Sequence, residues 1–184
     1  MVRWKNFVFF VLSKHDMMNS DNSDEIFPIV DENGVTIGKA SRGECHGGSR
    51  LLHPVVHLHV FDRQGNLFLQ KRPLWKDIQP GKWDTAVGGH IDYGENVPDA
   101  LRREAREELG IADFEPVALA SYVFESDRER ELVNAFSTIV NQIPTPSDEL
   151  DGGRFWSREE ILSQLGRGVF TPNFEQEYRR LFLE

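Results

Sequence analysis

Four carboxylates crowd one short stretch of this chain. In TAVGGHIDYGENVPDALRREAREELGI, residues 85–111, Glu95, Glu104, Glu107 and Glu108 fall within fourteen positions. Val97 to Leu109 has the marks of a helix, with Pro98 suited to a first turn and Gly110 to a stop. At about 100° per residue, Val97, Leu101, Ala105 and Leu109 form one apolar stripe. Asp99, Arg102, Arg103 and Arg106 lie opposite that stripe or on its flank, the solvent side. Glu104 and Glu108 do not join them: they fall beside Val97 and Ala100 on the stripe itself, with Glu107 at its edge. Inward carboxylates are costly to desolvate, and like charges one turn apart repel. A divalent cation answers both problems, and an all-oxygen donor set suits Mg²⁺ or Mn²⁺. A merely solvated face would leave the inward placement without a reason.

The residues around the helix extend this chemistry. Gly88 and Gly89 let the backbone turn tightly and approach a ligand closely. The loop GHIDYGE carries Glu95 towards the helix start, where the helix dipole favours a carboxylate. Arg103 stands one turn before Glu107, placed to hold that side chain or to form a plain surface pair with it.

Gly89, five residues, Glu95, seven residues and then REAREELGI reproduce the pattern G-x5-E-x7-R-E-U-x-E-E-x-G-U, with Ala105 and Ile111 at the apolar U positions. The segment resembles a complete Nudix box. The resemblance implies an α/β fold, a Nudix-type α/β/α sandwich with a mixed sheet, and hydrolysis of a nucleoside diphosphate linked to another group or of a related diphosphate. It implies a Mg²⁺ (or Mn²⁺) site of Glu104, Glu107, Glu108 and Gly88. It also implies a catalytic set of Glu104, Glu107 and Arg103, in which one Glu activates the attacking water. Many Nudix enzymes add a loop carboxylate, and Glu149 in PTPSDELDGGRFWS stands where a substrate-facing one is expected; a solvated loop is the plain alternative.

A wider part of the chain is similar to isopentenyl diphosphate isomerase, a branch of the same superfamily. QKRPLWKDIQPGKWDTAVGGHIDYGE matches the isomerase segment that grips a diphosphate, with Arg72 and Lys76 at the gripping positions. His46, His53 and His90 match in spacing the three histidines of its inner metal site, and Glu129 and Glu131 in RERELVNAF match its two glutamates. Imidazoles with carboxylates would suit Mn²⁺ or Zn²⁺. Taken singly, each is expected to be a packing or surface residue; together they define a candidate second metal site. The isomerase cysteine should stand just before GH, where this chain has Gly88, and Cys45 lies too far upstream to replace it. The expected protein is therefore a hydrolase built on the isomerase-like branch. An isomerase of isoprenoid diphosphates and a non-catalytic nucleotide-metabolite sensor are the alternatives.

Strands must position these groups. IFPIVDENGVTIGKASR reads as a hairpin turning at Asp31–Gly34, and LLHPVVHLHVFDRQGNLFLQKRP as a second turning at Arg63–Asn66. KWDTAV is a short strand, PVALASYVF and ELVNAFSTIV are two more joined by a charged turn, and RFW is a last short one. SREEILSQL opens with a capping box of Ser157 and Glu160, and NFEQEYRRLFL is a terminal helix. His53, His57 and His59 fall in a strand. Trp75 and Trp83 are expected in the core, although either has the surface to stack a base.

With 184 residues, the chain is long enough for one domain with a sizeable core. The net charge of −9 argues against nucleic acid as a partner, since phosphate binding needs clustered Lys and Arg. The single Cys45 forms no internal disulfide, which suits a reducing, cytoplasmic setting. The apolar run Phe7–Leu12 is far shorter than the roughly 20 residues of a membrane span, so no membrane partner is expected. Residues 1–24 read as an N-terminal extension, with a native start near Met17 or Met18, and 25–184 as the Nudix domain. The expected partner is a small-molecule diphosphate, with a homodimer left open.

Overall fold

The computed structural model describes residues 22–183 apart from residue 77; the Phe7–Leu12 run and the expected start at Met17 or Met18 lie outside them. The chain runs β1 (Ile26–Val30), β2 (Thr36–Ser41), helical turns at Arg42–Glu44 and Cys45–Ser49, β3 (Leu52–Phe61), β4 (Leu67–Lys71), β5 (Trp83–Thr85) and β6 (Val87–His90). Then follow α1 (Val97–Leu109), β7 (Val117–Glu125), β8 (Arg130–Ile139), β9 (Gly153–Trp156), α2 (Arg158–Gln164) and α3 (Pro172–Phe182).

β3 organises the molecule. Along one edge it pairs in parallel with β8 from Leu52↔Arg130 to Phe61↔Ile139. Its other edge is divided between two antiparallel partners, β4 at Val60 and Phe61 and β6 from Val55 to Leu58. The sheet order is β5-β4-β3-β8-β7, with β6 on β3 and β9 on β4, while β1 and β2 form a separate ribbon. Because β4 leaves β3 after two pairs, the sheet parts between β4 and β6, and residues of both strands line the cleft there.

Side chains alternate across β3. Val56, Leu58 and Val60 face α1 and pack with Ala100, Leu101, Ala105 and Leu109. His53, Val55, His57 and His59 take the other face; Val55 packs with Tyr122, Phe124 and Val133. On that second side α3 brings Phe174 and Tyr178 against Leu67, Leu69 and Trp156. The result is the expected α/β sandwich, a mixed sheet with helices on both faces. α1 starts and stops as its sequence requires: Asn96 caps it, Pro98 sits in its first turn, and Gly110 closes it at φ 66°.

Two local readings change. The first hairpin ends at Ser41, whose side chain and Glu44 form a capping box that opens the helical turns carrying His46. The expected KWDTAV strand breaks at Ala86, and its continuation β6 takes Gly88 and Gly89 to the edge of β3. Leu101 is 1% exposed in the α1–sheet core. Leu101→Ala should therefore lower unfolding free energy by about 3 kcal/mol, read by urea denaturation; a loss under about 1 kcal/mol would mean that α1 is not packed as described.

Candidate active site

The α1 acids occupy three different environments. Glu104 and Glu108 are half-buried on the core side of the helix, whereas the Glu107 side chain is 61% exposed. The Glu108 Oε2 accepts the Gly88 N–H at 3.2 Å and the Gln70 side-chain amide at 3.4 Å, so it is tied to β6 and β4 at once. Glu104 lies against Gly89: a Cβ at that position would overlap its carboxylate. A side chain at 89 would therefore push that carboxylate out of its place and off Arg103.

Arg103 is placed differently from the solvent side suggested by the helical wheel. Its guanidinium turns back along α1 and holds Glu95 with two hydrogen bonds, of 3.0 and 2.8 Å. It donates a third to Glu104 at 2.8 Å and a fourth to the His90 carbonyl at 3.0 Å. Glu107 is its weakest partner, at 3.4 Å. The planar fork thus fixes the Glu95 loop, β6 and Glu104 relative to one another. Its bond also holds the Glu95 carboxyl below its usual range.

Charge at these acids is unfavourable in the bare protein. Burial pushes Glu104 up to about 7, against the opposing pull of Arg103. Burial, reinforced by the neighbouring Glu104 charge, pushes Glu108 up to about 8. Two carboxylates that resist ionisation while sharing one edge of a cavity fit a divalent cation, whose charge would offset both desolvation and repulsion.

The histidines also meet. One nitrogen each from His46, His53 and His90 lie within 4.8 Å of one another, and the His46 and His90 Nε2 atoms are 3.0 Å apart. His53 Nδ1–H donates to the Leu51 carbonyl at 3.0 Å, which leaves Nε2 as its bare lone pair, buried without a partner. Glu129 contacts His46 through Nδ1 at 3.4 Å, the nitrogen away from His90. Both rings therefore offer Nε2 inward, the orientation that partners on Nδ1 give to metal-ligating histidines. His90 differs: Arg42 donates to its Nδ1 at 3.3 Å, so Nε2 carries the proton until Arg42 turns away. Burial first, and then Arg42, holds His90 well below its ordinary range. Glu129 and Glu131 are not surface hairpin charges: Glu129 is half-buried and Glu131 is 8% exposed. Glu131 is pushed up to about 8 by burial and by Glu129.

One cavity of about 690 Å³ joins these groups. Its lining includes Glu104, Glu107, Glu108, Gly88, His46, His90, Glu129, Glu131, Arg72, Lys76 and Glu149. Arg72 is anchored on the Ile78 carbonyl and on Asp84, and the Lys76 ammonium sits 4.8 Å from the Trp75 ring centre. Trp83 packs with Trp156 as expected, but Trp75 lines the cavity instead of the core. Sequence reasoning missed Gln70, Asp84 and His57, which also line it; only the inward register of His57 on β3 could have marked one of them.

A mixed α/β sandwich with an acidic helix at the parting of its sheet defines the class of protein. The NUDIX domain family matches residues 51–174, and the chain belongs to that family. It is 31% identical over 163 residues to an uncharacterized Nudix hydrolase of Streptomyces coelicolor, covering 87% of this chain and 90% of that one. It is 38% identical over 167 residues to an isopentenyl-diphosphate Delta-isomerase of Streptomyces griseus, covering 87% and 85%. The crystal structure of the Deinococcus radiodurans protein DR0079 superposes with a TM-score of 0.75 at 24% identity, over 86% of this chain and 99% of that one. Among the described residues, no helix is long and apolar enough to cross a membrane.

The raised Glu108 carboxyl gives a signed prediction for the metal-free protein. Its folded value of about 8 lies above the ordinary 4.5, so the neutral form favours the fold. That contribution is complete below about pH 4.5 and is lost as pH rises through 8. Glu108→Gln, which stays neutral, should melt within a degree or so of wild type at pH 5 and several degrees above it at pH 8.5. Scanning calorimetry in chelator decides; a Tm difference that does not grow with pH would contradict the burial of this charge.

Proposed function

We propose that this chain is a Mg²⁺- or Mn²⁺-dependent Nudix hydrolase, acting on acid anhydrides, that cleaves a diphosphate linkage by attack of water on phosphorus. The observation that carries the reading is the pair Glu104 and Glu108: half-buried, one turn apart and resistant to ionisation at the edge of a cavity. A cation held by Glu104, Glu107 and Glu108, beside the Gly88 backbone, would neutralise a diphosphate that this acidic edge otherwise repels, and would make bound water a better nucleophile. Glu104 takes the proton of the attacking water, and Arg103 keeps its carboxylate oriented. Arg72 and Lys76, which line the same cavity, draw the substrate phosphates, and Glu149 lines it from the loop before β9.

The histidine cluster favours a second element of the reading, a transition metal at His46, His53 and His90 with Glu129 and Glu131 behind it. The bare, buried Nε2 of His53 supports it, and Arg42 must leave His90 for it to form. Relatives named isopentenyl-diphosphate isomerases lend weight to the isomerase alternative. Gly88 speaks against it, because moving a double bond needs one group to deliver a proton and another to remove one.

Diphosphate compounds of the nucleotide, sugar, dinucleotide and isoprenoid kinds, assayed with Mg²⁺ and with Mn²⁺, should include one that is hydrolysed; failure across all four would favour the sensor alternative. On that substrate, Glu104→Gln should reduce turnover by several orders of magnitude with the fold intact by circular dichroism, and near-normal turnover at low Mg²⁺ would remove Glu104 from its role. Elemental analysis after exchange into Mg²⁺ buffer should find a retained transition metal that His53→Ala loses; metal-free wild type would refute the second site. Proton NMR of isopentenyl diphosphate with the enzyme should show no dimethylallyl isomer, and its appearance at a catalytic rate would promote the isomerase reading.

A further inference from the structure

Behind Gly88, on the face of the sheet away from α1, lies a polar cluster with no part in the chemistry so far described. Glu177 of α3 is wholly buried yet is held from several sides. His57 Nδ1 meets its Oε2 at 2.9 Å, Thr85 donates to the same oxygen at 3.3 Å, and the Tyr122 hydroxyl donates to Oε1 at 3.0 Å. His59 Nε2 approaches at 3.2 Å. A carboxylate so surrounded is immobile, and it fixes the His57 ring by one nitrogen. Its acceptor oxygen assigns the Nδ1–H to His57 and leaves Nε2 as the ring's second functional atom.

That second atom is at the cleft. His57 lines the cavity, and its Cδ2–Nε2 edge faces Gly88, where a Cβ would lie 3.6 Å from Cδ2 and 3.7 Å from Nε2. The other side of the same residue gives its N–H to Glu108. Gly88 is thus flanked by the acid site on one side and by an imidazole on the other, and its missing side chain leaves that imidazole edge uncovered. Glu131 and Asp84 line the same cavity and act electrostatically on His57, so an anion bound beside these acids needs a nitrogen donor. The wholly buried Glu177 carboxylate, bonded to Nδ1, is the counter-charge of an imidazolium, whose Nε2 also carries a proton.

We propose that His57, clamped by Glu177, is a substrate-binding residue that donates an Nε2–H hydrogen bond to a phosphoryl oxygen lying over Gly88, with Glu177 as its positioning residue. The inference rests on the diphosphate reading of the cavity. It adds a contact on the side of Gly88 opposite the acids, so that the substrate phosphates are gripped from both faces of β6.

The probe is methylenediphosphonate, a diphosphate whose bridge water cannot cleave, titrated in Mg²⁺ into full-length protein labelled with ¹⁵N at histidine. With resonances assigned by triple-resonance methods, saturating probe should shift the His57 Nε2 signal while leaving His59 in place. By calorimetry, His57→Gln should weaken probe binding about tenfold, the effect of exchanging a charge-assisted hydrogen bond for a neutral one. Glu177→Gln should weaken it too, with the His57 spectrum showing mixed tautomers, a change that loss of packing alone would not produce. Wild type that binds the probe with the His57 signal unmoved overturns the inference and leaves the diphosphate reading standing. Wild type that binds no probe overturns both. The wild-type spectrum decides even if either variant fails to fold.

Discussion

Two carboxylates held against their preference for water set the terms for the rest of the site. Glu104 and Glu108 share the α1 face that also buries Ala100, Leu101, Ala105 and Leu109, so neither can turn to solvent without disturbing the core. Every neighbouring feature accommodates them. Gly89 gives up its side chain to Glu104, Gly88 and Gln70 donate to Glu108, and Arg103 ties Glu104 to the Glu95 loop. Helix packing thus sets the position of the acids, and β6, in which Gly88 and Gly89 run as strand rather than as the expected turn, sets their surroundings. The remaining imbalance of charge is the property that a metal-bound diphosphate would relieve.

The cavity follows from strand pairing. β3 gives one edge wholly to β8 and splits the other between β4 and β6, and the resulting gap joins the two faces of the sheet. The acids reach it from the α1 face, and His57 and Glu131 from the other. A substrate in such a gap meets groups anchored in separate hydrophobic clusters, which keeps both walls rigid.

Much of this was legible in the sequence because two periodicities carry it. The 3.6-residue stripe of α1 located the inward acids, and the turn residues at Asp31–Gly34 and around Gly65 located both hairpins. The helical turns around His46 escaped notice because their capping box, Ser41 with Glu44, leads into Gly47 and Gly48 without an apolar stripe. The wheel misplaces Arg103 because it records where a side chain leaves the helix, not where a long guanidinium ends. The His57–Glu177 pair spans 120 residues, and no local pattern announces a contact that distant. Yet the wheel that places Glu104 and Glu108 inward also sets Glu177 beside Phe174, Tyr178 and Leu181 on the inward side of α3, a signal of the same kind.

A metal held by the α1 acids can be seen directly by anomalous diffraction from crystals soaked in Mn²⁺. A peak is expected between the Glu104 and Glu108 carboxylates, beside Gly88. No peak at α1, or Mn²⁺ at the histidine cluster alone, would contradict that assignment.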